Sequence, residues 1–246
     1  MKNNSIWEIR LNRLLWLLPS LSKKMAEVLM NEETFSLERL EVLCFLFDGQ
    51  LVVLEKRHCH PVILKELWGQ KVDVLLKAMR AKVNDVDEIP FLPVIPKSAL
   101  GILGLMGLVR CSEKIGECAS YPEIMESRDL FIVPRKSYYI FGVNQSLSGE
   151  MVKEPAFKAA EMMDPVGLTD TESIALTVHS DILLKAFVLI TGTKYFFPPF
   201  CYIIQLTENG TPILTGHFQD QHSLDEMVTP FQGNFIAPLC RSRGID

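Results

Sequence analysis

The chain has 246 residues, 48% of them apolar and 22% charged, and a net charge of −5. That balance excludes a disordered chain, which needs low hydrophobicity and high charge, and gives no general attraction to nucleic acid or an anionic membrane. The length suits one large domain or two small ones, and no apolar run reaches the ~18–20 residues of a membrane span.

The first element is an amphipathic helix over Ile6–Leu18, closed by Pro19. Its setting resembles a secretion signal, but Glu8 and Arg10 interrupt the approach and no small-x-small cleavage site follows. Ser22 can cap a second helix through Met30, and Ser36 a third that runs apolar through Leu40, Leu43, Cys44 and Phe47. Asp48-Gly49 reads as the end of the third helix, with Leu51–Leu54 either a short strand or more of the helical array. Pro61 opens another helix, with Leu64, Leu67 and Trp68 on one face; Val72, Leu75, Leu76 and Met79 share a face in the next. The acidic break Asn84–Glu88 closes a mostly helical part, residues 1–88, and residues 89–246 read as a mixed α/β sheet domain. The two parts could still share one core.

Ile89–Pro96 is proline-rich and therefore an edge strand or extended segment. Ser98–Leu108 reads as a helix in which Gly101, Gly104 and Gly107 form a bare stripe for close packing. Leu130–Val133 and Tyr138–Val143 read as strands, and Pro155–Met163 as a helix. Thr169-Asp-Thr-Glu172 is a capping box opening a helix through Ile174 and Val178, extending as far as Ile182. His179 near its end is favoured by the helix dipole. Ala186–Thr191 is a strand covered on both faces, and Cys201–Leu206 with Ile213–Phe218 flank a hairpin turn at Glu208–Thr211. Asn209-Gly210 is expected to supply two positive-φ positions there. The fold class is α+β: an N-terminal helical part packed on a C-terminal mixed sheet with flanking helices.

Six cysteines, at 44, 59, 111, 118, 201 and 240, are too sparse for a disulfide scaffold and fit a reducing cytoplasm. His58-Cys59-His60 could place two imidazoles on one face of an extended chain, but a metal needs a third and a fourth ligand, so neither metal nor cofactor is expected. Gly192-Thr193-Lys194 follows the buried strand, where Lys194 is either a ligand for a phosphate or carboxylate or a solvated turn residue. Cys240-Arg241-Ser242-Arg243 sets a thiol beside two guanidinium groups, which lowers a thiol pKa and can hold an anion; otherwise it is a solvated tail.

Leu168–Leu176, Gly192–Tyr195, Gly210–Gly216 and Pro238–Arg243, in that order, resemble an uncharacterised bacterial protein family. That family has a Leu-Thr-x-x-Glu-x-Ile-Ala-Leu helix, a Gly-Ser-Arg element, a Gly-x-Pro-x-Leu-Gly strand and a terminal Ser-Cys-x-x-Arg. Lys194 stands where the family usually has Arg. The resemblance implies a bacterial cytoplasmic protein and brings no activity with it.

The leading functional expectation is a monomeric or homodimeric module that binds a small anionic ligand or a protein partner. Lys194, Cys240, Arg241 and Arg243 are its site residues, the tail folding back towards Gly192–Tyr195. The competing expectation is an enzyme with Cys240 as nucleophile and Lys194 or Arg243 stabilising negative charge. A third is a helical interaction module over residues 1–83, rich in Leu and Trp.

Overall fold

Helices fill the chain as far as Arg80, and three of them start on side-chain caps. The computed structural model describes residues 3–32, 35–81, 88–119, 127–129, 132–144, 166–195, 200–218, 234–236 and 238–244. Helix α1 (Asn3–Leu17) turns Leu11 and Leu14 inward. Ser22 caps α2 (Lys23–Met30) by accepting from the Met25 N–H, and Ser36 caps α3 (Leu37–Lys56) by accepting from the Arg39 N–H. His60 Nδ1 accepts from the Val62 N–H at the start of α4 (Pro61–Gly69), so this imidazole serves as a cap. Helix α5 (Lys71–Arg80) follows directly.

Helix α3 runs through Asp48-Gly49, where the sequence suggested an end. Glycine inside a helix costs about 1 kcal/mol. Stopping there would release Leu51 and Leu54, both buried, each worth roughly 1.5–3 kcal/mol. The buried side chains prevail over the local signal. The buried Gln50 amide, next in the chain, donates to the Phe91 carbonyl at 2.8 Å and so ties the helix to the first strand.

That strand, β1 (Glu88–Val94), lies at the edge of a sheet, where its two prolines are tolerated. The sheet pairs β1 with β6 (Tyr138–Asn144), then β13 (Leu239–Cys240) and β7 (Val166–Gly167), and β14 (Ser242–Arg243) also pairs with β6. All these pairings are antiparallel. The C-terminal tail is therefore sheet.

A second sheet runs in the order β12 (Asn234–Ile236), β8 (Ala186–Ile190), β10 (Phe200–Leu206), β11 (Pro212–Phe218) and β4 (Glu117–Cys118). Two small ribbons pair β2 (Arg110–Cys111) with β3 (Lys114–Ile115), and β5 (Ser127–Asp129) with β9 (Thr193–Tyr195). Helix α6 (Lys97–Met106) and helix α7 (Asp170–His179) complete the described elements, with a 3-10 turn at Ile182–Leu184. The fold is α+β, with helices first and sheets after them.

Several details differ from the sequence reading. Of the strand expected at Leu130–Val133, residues 130 and 131 lie outside the described residues and Ile132, fully exposed, and Val133 are not in a strand; the strand just before them is Ser127–Asp129. Helix α7 stops at His179, because Ser180 turns extended. Gly101 faces open space and has positive φ at a kink inside α6, so the glycines form no packing stripe. The helix expected at Pro155–Met163 and residues 84–87 lie outside the described residues.

The hairpin between β10 and β11 closes through Thr207 N–H to Thr211 carbonyl at 2.9 Å and Gly210 N–H to Thr207 carbonyl at 2.8 Å. Gly210 has φ +78°, whereas Asn209 is not among the positive-φ residues, so one position carries the left-handed turn. A Cβ at Gly210 would meet nothing, and the strain of Gly210→Val is purely conformational. A loss of about 1–3 kcal/mol is expected by urea denaturation. Stability equal to wild type would show that the turn rearranges freely.

One cluster of buried side chains runs through both parts of the chain, from Leu14, Phe47 and Leu75 to Tyr139, Leu176, Val188 and Cys240. At its centre the Phe47 ring stacks on Tyr139 at 5.5 Å and lies 6.2 Å from Phe91.

Candidate functional site

The motifs singled out in the sequence meet around the start of α7. The Thr169 hydroxyl accepts from the Glu172 N–H, and the Glu172 carboxylate accepts from the Thr169 N–H at 2.8 Å, completing the capping box. From one side, the Gly192 N–H donates to the Leu168 carbonyl at 2.7 Å, and Thr193 Oγ1 accepts from the Asp170 N–H at 3.0 Å. Gly192 is required by that approach: a Cβ there would lie 2.6 Å from the Gly167 oxygen. From another side comes the tail. Leu239 and Cys240 pair with Gly167 and Val166, and Arg243 reaches the helix start itself.

Arg243 grips Glu172 with both arms, Nε at 2.6 Å and Nη2 at 2.8 Å, and Nη2 also donates to the Gly167 carbonyl at 2.6 Å. Tyr138 adds its hydroxyl to Glu172 at 3.1 Å. Burial works against the guanidinium charge, but the bond and charge of Glu172 outweigh it and hold Arg243 above its ordinary pKa. Arg241 pairs with Glu88 at 2.8 Å. Both tail arginines thus face carboxylates.

Cys240 is wholly buried. Burial, and then the nearby Glu172 charge, push its thiol up to about 12, with Arg243 opposing. Burial thus outweighs the tail's cations, which the sequence suggested would lower this thiol's pKa. Lys194 lies on β9, paired in register with Arg128 of β5; its side chain is outside the described residues.

A second charged cluster lies beside the first. Lys97 Nζ is 2.6 Å from the fully buried Asp170 and 3.9 Å from Asp129, which accepts from Thr193 Oγ1 at 2.9 Å. Burial pushes the Asp170 carboxyl up to about 6 from an ordinary 3.8, with Lys97 pulling it down and Asp129 pushing it up. The folded state therefore holds this proton more tightly than the unfolded chain does. The stability that follows is fully present below about pH 4 and is lost as pH rises through 6. Asp170→Asn is expected to flatten that part of the stability profile, measured by chemical denaturation between pH 4 and 7. An unchanged slope would mean that the carboxyl titrates normally.

His179 does not act as the charged helix-end residue the sequence suggested. Both ring nitrogens are enclosed without a partner, and burial, with Arg57 second, depresses its pKa to about 3. It is neutral.

The helical part carries a cleft of about 590 Å3 between the end of α1, the middle of α3 and the junction of α4 with α5. Trp16 and Trp68 line it, with Leu17, Pro19 and Val72. Lys71 Nζ meets both oxygens of Asp48, at 2.8 and 3.1 Å, and sits 4.6 Å from the centre of the Trp68 ring. No sequence motif marks these residues as a site, because Asp48 and Lys71 are far apart in the chain and only the fold brings them together. Trp16 had a readable signal: with Leu11, Leu14 and Leu18 inward, the helical period turns it to solvent.

No protein-family model matches the chain, and neither a curated protein nor a solved structure is similar to it.

Proposed function

We propose that this protein is a binding module and that it receives its partner on the helical part, in the Trp16–Trp68 cleft. One observation carries the reading: Trp16 is 79% exposed and Trp68 53% exposed on the walls of the same concavity. An indole offers roughly 200 Å2 of surface, and at ~25 cal/mol/Å2 leaving it in water forgoes several kcal/mol. Exposed aromatic side chains around a concavity are what a binding surface presents.

The enzymatic reading finds less support. A nucleophile must be a thiolate within reach of a base, and Cys240 is enclosed and protonated. The anion reading at Lys194, Cys240, Arg241 and Arg243 is weakened by the carboxylates that already face both arginines.

A solvatochromic apolar dye tests the binding reading. It should bind the native protein saturably with a blue-shifted emission. Trp16→Ser should lose that signal and keep the wild-type melting temperature, since so exposed a side chain contributes little to folding. Dye binding unaffected by Trp16→Ser would sink the reading.

A further inference from the structure

Resting on the reading that the helical part binds, we propose that the Trp16–Trp68 cleft takes a small neutral aromatic molecule carrying a hydrogen-bond donor, of the chemical class of phenols and indoles. Three features of the cleft select that class.

Its size comes first. About 590 Å3 falls within the range of small-molecule sites, which are mostly apolar with a few placed polar groups. The walls come second. Two indoles and the aliphatic side chains of Leu17 and Val72 suit a flat ring, which gains from stacking as well as from leaving water.

The floor decides the charge. Its ionised groups are Asp48 and Lys71, paired through both carboxylate oxygens, so their charges cancel. The Cys44 thiol beside them adds none, because burial pushes it up to about 11. A carboxylate or ammonium brought in by a ligand would lose its water and meet an ion pair already matched. A neutral ligand avoids that cost. Lys71 is committed further: its ammonium sits over the rings of Trp68 and Phe47 at 4.6 and 5.6 Å, and its side chain is only 14% exposed. Asp48 is 46% exposed, and each of its oxygens has a second lone pair. The cleft thus offers an acceptor to a ligand's O–H or N–H.

Calorimetric titration of the intact protein with phenol, indole, benzoate and benzyltrimethylammonium tests the assignment. Phenol and indole should saturate one site and bind at least tenfold more tightly than either charged probe. Trp16→Ala should weaken both by a similar factor. Asp48→Ala should reverse the preference: the Lys71 ammonium loses its carboxylate, so benzoate should gain at least tenfold while phenol weakens. If a charged probe bound the wild type as tightly as phenol, and Trp16→Ala abolished it, the ligand class would be wrong and the cleft reading would stand. Failure of all four probes, or phenol binding unchanged by Trp16→Ala and Asp48→Ala, would overturn the inference, and the dye experiment would then decide the broader reading.

Discussion

Arg243→Ala is expected to destabilise the protein by about 3–5 kcal/mol, the usual effect of breaking a buried ion pair by removing one partner. Glu172 is fully buried, and without Arg243 its carboxylate keeps the Thr169 N–H at 2.8 Å and the Tyr138 hydroxyl at 3.1 Å. Two neutral donors do not replace a guanidinium fork. Arg243→Lys should recover only part of the loss, because an ammonium cannot make the paired bonds and also reach the Gly167 carbonyl. The double change Glu172→Gln with Arg243→Met should be milder than Arg243→Ala alone, since it leaves no charge unmatched. Urea denaturation of the wild type and these three variants ranks the losses. If Arg243→Ala melted like the wild type, the tail would be a solvated end.

This pair also shows how far the sequence could be read. The capping box at Thr169–Glu172 was legible because helix starts are local: a hydroxyl and a carboxyl three residues apart face each other once the turn forms. The cap residues Ser22 and Ser36 were legible for the same reason. The second role of Glu172 was not, because its partner lies 71 residues away and only the pairing of β13 with β7 and of β14 with β6 delivers it. The sequence itself sets the Glu172 and Arg243 motifs in order along the chain, yet order alone does not say whether two charges meet each other or a ligand. Asp48-Gly49 misled in the opposite direction. A local stop signal worth about 1 kcal/mol was outweighed by the buried side chains beyond it. The cleft was invisible because it is assembled from four helices, and the spacing of Trp16, Asp48, Trp68 and Lys71 follows no motif.

Phe47→Ala carries the second large effect, also about 3–5 kcal/mol, the cost of emptying a buried aromatic site. Phe47 belongs to α3, yet its ring touches both parts of the molecule: Trp68 of α4 at 6.1 Å edge-on, Phe91 of β1 at 6.2 Å and Tyr139 of β6 at 5.5 Å stacked. Neither part can retain that packing alone. The continuous core therefore implies one cooperative transition, and calorimetry of Phe47→Ala should show a single peak moved to lower temperature. Two separate domains would behave otherwise: an early transition of the helical part, followed by a second at the wild-type temperature. The cleft supplies a second readout. Phe47 underlies Lys71 at 5.6 Å, but Asp48 and the Trp68 ring hold the ammonium from other directions. In the folded variant, phenol should then bind within a few-fold of wild type. If binding collapsed while the protein stayed folded, the Phe47 ring would be a required part of the cleft floor, and the ion pair alone would not be enough to place the ligand.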